Sequence, residues 1–175
     1  MAADRAGDGA LVVVRAGEAE VETVARLLGD AGRHLATQGF DNWMPPYPVE
    51  RVRADVAERE VYVVMRARGG APVATYMLSP RPTHAYEPAP WPDPAGPAVY
   101  LNRLAVAPAA QGGGVGAWCL TSIDARARAS GAGAVRCDVL ASNAATRRFY
   151  ERHGYVAHGE RTHSGWTFAC YERRT

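Results

Sequence analysis

The chain has 175 residues, of which 47% are hydrophobic and 22% charged, a length and composition typical of one soluble globular domain. All 20 basic residues are arginine, and the absence of lysine excludes pyridoxal-phosphate enzymes, Walker-loop nucleotidases and protein kinases, because each needs a lysine amine. The net charge is only +2 and the arginines are scattered along the chain, so we expect no nucleic-acid partner.

Residues 1–10 are small and polar and predict a flexible tail, whereas residues 11–175 predict a single domain. Apolar runs, helical spacings and turn residues in this domain predict the order β-α-α-β-β-β-α-β-α-β-β, a mixed α/β layer fold. The predicted elements are strand Leu11–Val14, a helix after Gly17, helix Glu50–Arg59, strands Val61–Ala67, Pro72–Leu78 and Ala98–Val106, helix Val115–Ala129, strand Ala134–Leu140, helix Ser142–His153, and strands Tyr155–Ala157 and Trp166–Tyr171.

Two segments rich in proline, residues 39–48 and 79–97, predict irregular loops, because proline fixes φ and removes a backbone donor. The second segment contains seven prolines. Loops of this length inside a compact domain are typically functional lids or disordered.

The three cysteines, Cys119, Cys137 and Cys170, are an odd number without Cys-x-x-Cys spacing. This pattern argues against a disulfide framework or a zinc ribbon, so we expect no metal. No apolar run approaches the ~20 residues of a membrane span, and the first ten residues lack a signal core. We therefore expect a cytoplasmic protein with no membrane partner.

The most informative segment is the glycine-rich loop at residues 111–116, which follows strand Ala98–Val106 and opens the helix at Val115. Free N–H groups at the start of a helix bind phosphate, and glycine lets the backbone approach a ligand closely. The spacing is not Gly-x-Gly-x-x-Gly, and the loop follows a late strand rather than the first. The loop therefore predicts a phosphate-bearing cofactor other than a dinucleotide.

The pattern V-x-P-x-x-Q-G-x-G-x-G over residues 106–116 resembles the acyl-CoA pyrophosphate loop of the GNAT N-acetyltransferase superfamily. The run from Asn143 to Tyr155 resembles the second motif of that family: an asparagine, a helix that ends in an aromatic residue, Tyr and Glu, then Gly and an aromatic residue. The resemblance covers nearly the whole chain. It implies an α+β fold in which a central mixed, mostly antiparallel sheet of about seven strands is flanked by about four helices.

The resemblance implies acetyl-CoA as acyl donor, with no metal. It assigns the pyrophosphate to the glycine-rich loop, which comprises Gln111, Gly112, Gly113, Gly114, Val115 and Gly116. The backbone of Leu104, Ala105 and Val106 would pair with the pantetheine arm as an added strand pairs with an edge. Asn143 would contact the pantetheine arm or nearby backbone, a role compatible with capping the helix that follows.

The resemblance also assigns Tyr150 as the acid that protonates the leaving thiolate, although a tyrosine there can also be a packed aromatic residue. Many relatives carry a glutamate at the position of Asn102, and an amide cannot accept the proton of the amine. Either a water chain leads the proton to another residue, or the substrate amine arrives already neutral. His84 is the candidate base in the first case, because an imidazole titrates near neutral pH. Glu87 and Asp93 are the alternatives.

The acceptor site is expected between the first two helices and in the proline-rich loop. The candidate substrate-binding residues are Trp43, Tyr47, Glu87, Trp91 and Asn102. Aromatic walls with a few acids suit an amine with an apolar body, although each tryptophan can equally fill the core beneath a long loop.

Three functions are open at this point. The first is N-acetylation of a small-molecule amine by a monomer or homodimer. The second is acetylation of a protein N-terminus or of aminoacyl-tRNA, which calls for an open groove. The third is a non-catalytic module that binds acyl-CoA, for which Asn102 argues mildly and against which Tyr150 argues mildly.

Overall fold

The computed structural model describes residues 10–67, 70–83 and 88–175. Within these ranges the strands are β1 (Leu11–Arg15), β2 (Glu60–Arg66), β3 (Pro72–Ser79), β4 (Ala98–Val106), β5 (Ala134–Leu140), β6 (Val156–His163) and β7 (Trp166–Arg174). The helices in the same ranges are α1 (Val21–Thr37), α2 (Val49–Glu58), α3 (Val115–Ala129) and α4 (Ala144–Arg152).

The described strands form one sheet of seven in the order β1-β2-β3-β4-β5-β7-β6. Every neighbouring pair is antiparallel except β4 and β5, which are parallel. This arrangement confirms the predicted fold class and the predicted order of elements. The predicted tail lies outside the described residues except for Ala10, whose carbonyl accepts a hydrogen bond from the N–H of Ala67 at 2.7 Å.

The extent predicted for the sixth strand is wrong. Residues 155–157 were expected, whereas β6 runs from Val156 to His163 and pairs with β7 along that length. Its residues are mostly exposed and polar, because β6 is an edge strand with few core contacts. Such a strand lacks the apolar alternation on which a sequence prediction depends.

Helices cover both faces of the sheet, and each packs an apolar stripe against it. On one face, α1 buries Leu27 and Leu28 against Val63 and Met77. On the other face, α3 buries Leu120 and Ile123, and α4 adds Tyr150, against residues of β3, β4 and β5. Burial of one large aliphatic side chain contributes about 1.5–3 kcal/mol, so these two clusters fix the helices on the sheet.

The pairing of β4 with β5 is short and ends where the two strands separate. It comprises three positions, and the last of them joins Tyr100 to Arg136. In β4, Arg103 and Leu104 together lie opposite Tyr76 of β3, which is a β-bulge, and Arg103 has φ +51°. A bulge bends its strand and increases the local twist. The bend leaves the second half of β4 facing a gap on the β5 side.

The residue at the bulge is held by a buried carboxylate. Asp55 of α2 forms an ion pair with Arg103, and its neighbours Arg59 and Arg51 lie 3.4 and 3.8 Å from the same carboxylate. The guanidinium of Arg103 also stacks on the ring of Tyr47, 4.2 Å from the ring centroid. A non-glycine residue with positive φ is strained, so these contacts retain the conformation of Arg103.

We expect Asp55→Asn to lower the free energy of unfolding by about 3 kcal/mol, because the mostly buried guanidinium of Arg103 would lose its charge partner. The measurement is a urea melt. The control is Glu18→Gln, which breaks the exposed ion pair with Arg53 and should leave the midpoint unchanged. Equal shifts in the two variants would contradict the anchoring role of Asp55.

Candidate active site

The glycine-rich loop depends on two residues in the left-handed region. Gly112 has φ +77° and Gly114 has φ +79°, a conformation that costs other residues about 1–2 kcal/mol. A Cβ built at either position meets no described atom within 4 Å. The loop therefore presents bare backbone to an open space at the start of α3.

The amides at residues 112–117 are available to a ligand, whereas the N–H of Gln111 donates to the carbonyl of Pro108 at 3.3 Å. The first intrahelical hydrogen bond of α3 runs from the N–H of Trp118 to the carbonyl of Gly114 at 3.0 Å, and helix geometry leaves the preceding N–H groups without intrahelical acceptors. Their partial positive charge suits a phosphate. The side chain of Gln111 donates to the carbonyl of Val106 at 3.2 Å, which ties the loop to the end of β4.

Gly116 has a different role. Its Cβ would lie 3.1 Å from Cζ of Phe149, so glycine there lets α3 approach α4 closely. Val115 points its side chain into the core. Val115 and Gly116 therefore also have packing roles. The cofactor contacts of the whole glycine-rich loop remain predictions.

The second half of β4 supplies an edge for an extended ligand. On one side, Ala105 pairs with Thr75 and Val106 pairs with Ala74 of β3. On the other side, the pairing with β5 has already ended at Tyr100. The edge of β4 from Leu104 to Val106 therefore borders the gap, as the pairing with pantetheine requires.

Asn143 caps α4, the helix that follows β5. Its side chain is buried, and Oδ1 accepts a hydrogen bond from the N–H of Thr146 at 3.0 Å. This confirms the helix-capping role. The contact with the pantetheine arm remains a prediction.

Tyr150 is buried on α4, with 6% of its surface exposed. Its ring lies edge-to-face with that of Tyr155, at a centroid separation of 5.1 Å. Burial raises the pKa of its phenol well above the usual value, and the nearby Cys137, Tyr155 and Asp138 raise it further. Tyr150 is therefore a neutral hydrogen-bond donor throughout the physiological pH range.

A small cleft opens where β4 and β5 separate. It is lined by residues of β4, β5 and the proline-rich loop, namely Tyr100, Leu101, Asn102, Arg136, Cys137, Asp138, Pro82, Thr83 and Trp91. Two predicted substrate-binding residues, Asn102 and Trp91, therefore meet at one site. Asn102 accepts a hydrogen bond from the hydroxyl of Thr83 and donates one to the carbonyl of Tyr100, both at 3.2 Å.

Asp138 is the residue that the sequence analysis missed. It is half-buried on β5 and lines the cleft beside Cys137. A carboxylate is a competent proton acceptor, whereas the amide of Asn102 is not. The signal available in the sequence was a carboxylate inside a mostly apolar strand, five residues before Asn143.

The other predicted acceptor residues are not gathered at this cleft. Trp43 and Tyr47 contact each other and pack against the α1–α2 side of the core. Tyr47 stacks on Arg103, and Trp91 lies 5.2 Å from the guanidinium of Arg136, so these rings already have cationic partners within the protein. Trp43 and Tyr47 therefore do not line this cleft, and their place in an acceptor site remains a prediction.

The candidate bases in the proline-rich loop are not located by the structure. His84 and Glu87 lie outside the described residues. Asp93 is exposed and does not line the cleft. Asp138 is therefore the carboxylate that lines the cleft in the described part of the chain.

The described residues contain no cluster of three or more His, Cys, Asp or Glu side chains suited to a metal ion. Burial raises the pKa of Cys119 to about 12 and that of Cys170 to about 11, so these thiols are poor nucleophiles and metal ligands. Of the helices in the described ranges, none has the length and apolar character needed to cross a membrane.

Solved structures share this architecture. A GNAT-family acetyltransferase from Listeria monocytogenes superposes with a TM-score of 0.77 at 19% identity, covering 94% of this chain and 95% of that chain. The ribosomal-protein-S18-alanine N-acetyltransferase of Escherichia coli gives 0.69 at 16% identity, covering 94% of each chain. An acetyltransferase structure from Salmonella typhimurium with its cofactor acetyl-CoA gives 0.67 at 16% identity, covering 95% and 94%. At these identities the likeness shows the fold.

A search of curated proteins found no match. The sequence profile of the acetyltransferase (GNAT) family matches residues 30–155, a range that contains α2, α3 and α4, the glycine-rich loop, the gap between β4 and β5, and Tyr150. The chain belongs to the GNAT acetyltransferase family.

Proposed function

We propose that this protein transfers an acetyl group from acetyl-CoA to a primary amine of a small molecule, by direct attack in a ternary complex. The observation that carries the proposal is that β4 continues beyond its pairing with β5 and ends at the loop whose amides at residues 112–117 lack intrahelical acceptors. The cleft beside Asp138 lies where that pairing ends. Membership of the family supports the use of an acyl-CoA.

The length of β4 beside the gap suits a donor that has phosphates at one end and an extended arm. From Val106 to Asn102, β4 advances by about 13 Å at the usual rise per strand residue. Phosphates bound at the loop would therefore hold the start of the arm, and the arm would end near the cleft. Acetyl-CoA supplies the activated thioester at that end.

Transfer forms a C–N bond, breaks the C–S bond and moves two protons. Tyr150 is held neutral by burial and donates its proton to the departing thiolate. Asp138 lines the cleft and accepts the proton that the amine loses, directly or through one water molecule. Asn102 orients the acceptor by hydrogen bonding, because its amide cannot act as a base.

A small acceptor is favoured over a protein N-terminus by the wall of the cleft. The segment at residues 88–97 is tied to the sheet by Arg136 and Arg161, which bind the carbonyls of Asp93 and Pro88. The ring of Trp91, only 5% exposed, lines the cleft on that side. A tied wall narrows the approach that an extended peptide would need.

The proposal is tested by measuring thiol release from acetyl-CoA in the presence of separate amino acids, polyamines, aminoglycoside-like amines and an N-terminal peptide, with products identified by mass spectrometry. We expect release with one class of small amine. Release with the peptide alone would favour protein acetylation, and binding of acetyl-CoA without release in any mixture would favour a binding module.

We expect Gly114→Ala to weaken acetyl-CoA binding strongly, because the new methyl group projects into the open space over the cradle. It should also cost about 1–2 kcal/mol of stability through its positive φ. The control is Gly131→Ala, which has φ +78° and equally open surroundings but lies beyond the other end of α3. Calorimetry should show normal affinity in the control, and equal affinities in the two variants would place the cofactor elsewhere.

We expect Tyr150→Phe to lower kcat by ~10²–10⁴-fold, because the ring stays and the transferable proton is lost. The control is Tyr155→Phe, whose hydroxyl is buried without a hydrogen-bond partner among the described residues; its loss should leave turnover and melting temperature nearly unchanged. If turnover of Tyr150→Phe stays within about threefold of wild type, far short of the usual effect of acid catalysis, Tyr150 has only a packing role.

We expect Asp138→Asn to lower kcat/KM by ~10²–10⁴-fold, because the amide cannot take up the proton. His84→Ala is the companion variant. If kcat/KM is retained in Asp138→Asn and falls in His84→Ala, the histidine of the proline-rich loop is the base instead.

A further inference from the structure

The segment at residues 88–97 can be held to the sheet mainly through its carbonyl groups. Five of its ten residues are proline, and proline has no N–H to donate. Three of its carbonyls accept hydrogen bonds from the body of the domain: Pro88 from Arg161 at 2.9 Å, Asp93 from Arg136 at 2.5 Å, and Pro97 from the N–H of Gly133 at 2.8 Å. The donors therefore decide where this segment lies.

Arg136 is the deepest of these donors, with 1% of its surface exposed. Its Nε donates to Oε2 of Glu172 at 2.8 Å, and its two terminal nitrogens donate to the hydroxyl of Tyr100 at 3.1 Å and to the carbonyl of Asp93. The planar guanidinium also lies 5.2 Å from the ring centroid of Trp91. One side chain thus connects β7, β4 and the proline-rich segment.

Arg136 also lies in the sheet at the point where the cleft opens. Arg136 pairs with Tyr100 at the last position where β4 and β5 are joined, and both residues line the cleft. A guanidinium can serve three acceptors in one plane, which an ammonium group cannot. Arg136 therefore fixes the distance between Tyr100, at the last paired position of β4, and the segment at residues 88–97, which carries Trp91.

A purely stabilising role does not explain the ion pair. Glu172 is also buried, at 3% exposure, and desolvation makes a buried ion pair no more stabilising than well-packed apolar residues. The pair does supply a directional anchor that apolar residues lack.

We propose that Arg136 is a positioning residue. It holds the segment that carries Trp91 against Tyr100, and so it determines where the wall of the cleft lies on the side that binds the amine. The proposal rests on the proposed function in assigning the acceptor to this cleft. Arg136 takes no part in proton transfer, so its loss should affect the binding of the amine rather than the chemical step.

The test is the double variant Arg136→Met with Glu172→Leu, which removes both charges together and so leaves no unpaired buried ion. The matched control is Arg173→Met with Asp124→Leu. That pair joins β7 to α3 at 2.7 Å and touches none of the residues of the wall described above. Both double variants should fold, and a melting curve checks this.

We expect the Arg136 double variant to raise the KM for the amine by about tenfold or more, because a displaced wall no longer positions the bound amine. Its kcat and its affinity for acetyl-CoA should stay near wild type. Acrylamide should quench more of its tryptophan fluorescence, and Trp91→Phe in each background assigns the added quenching to Trp91. The control pair should change none of these values.

The proposal is overturned if the KM for the amine or the accessibility of Trp91 is the same in the Arg136 double variant as in the control. Arg136→Lys separates charge from geometry, and its Trp91 accessibility should resemble that of the double variant. If wild-type protein binds acetyl-CoA but acetylates no amine, the proposed function fails, and the quenching comparison still decides whether Arg136 holds the wall.

Discussion

The separation of β4 from β5 after Tyr100 and Arg136 is the feature on which the rest of the site depends. Backbone N–H and C=O groups inside a protein need partners, and a strand that loses its neighbour leaves a row of them unpaired. The bulge at Arg103 bends β4 away, and the ion pair with Asp55 retains that bend. The fold therefore offers an extended ligand one edge of β4 to pair with, followed along the chain by the N-terminus of α3.

Two ion pairs involve the strands beside this gap, one on β4 and one on β5, and they hold different parts of the site. Asp55 and Arg103 hold the strand that is proposed to receive the arm of the donor. Arg136 and Glu172 lie at the narrow end and reach the wall of the cleft. In a chain without lysine every such contact uses a guanidinium, whose several donors in one plane can join more than two elements at once.

The parts of the site that the sequence predicted are those set by local structure. Gly112 and Gly114 are needed for positive φ within one loop, and Asn143 caps the helix that it precedes, so both signals lie within a few residues. The role of Asp138 could not be predicted from its neighbours in the sequence, because Asp138 lines a cleft only where β4 and β5 have separated. The cationic partners of the aromatic residues could not be predicted for a similar reason: Tyr47 and Trp91 pack on Arg103 and Arg136, which are 56 and 45 positions away in the chain.

The central claim is that acetyl-CoA lies along the open edge of β4 with its phosphates on the glycine-rich loop. Hydrogen–deuterium exchange with and without acetyl-CoA tests it directly, because amides that bind a ligand exchange more slowly. The account predicts slower exchange within residues 101–106 and 112–117, with little change in β1 and β2. Protection that omits both segments, or that appears only at the start of another helix, would contradict it.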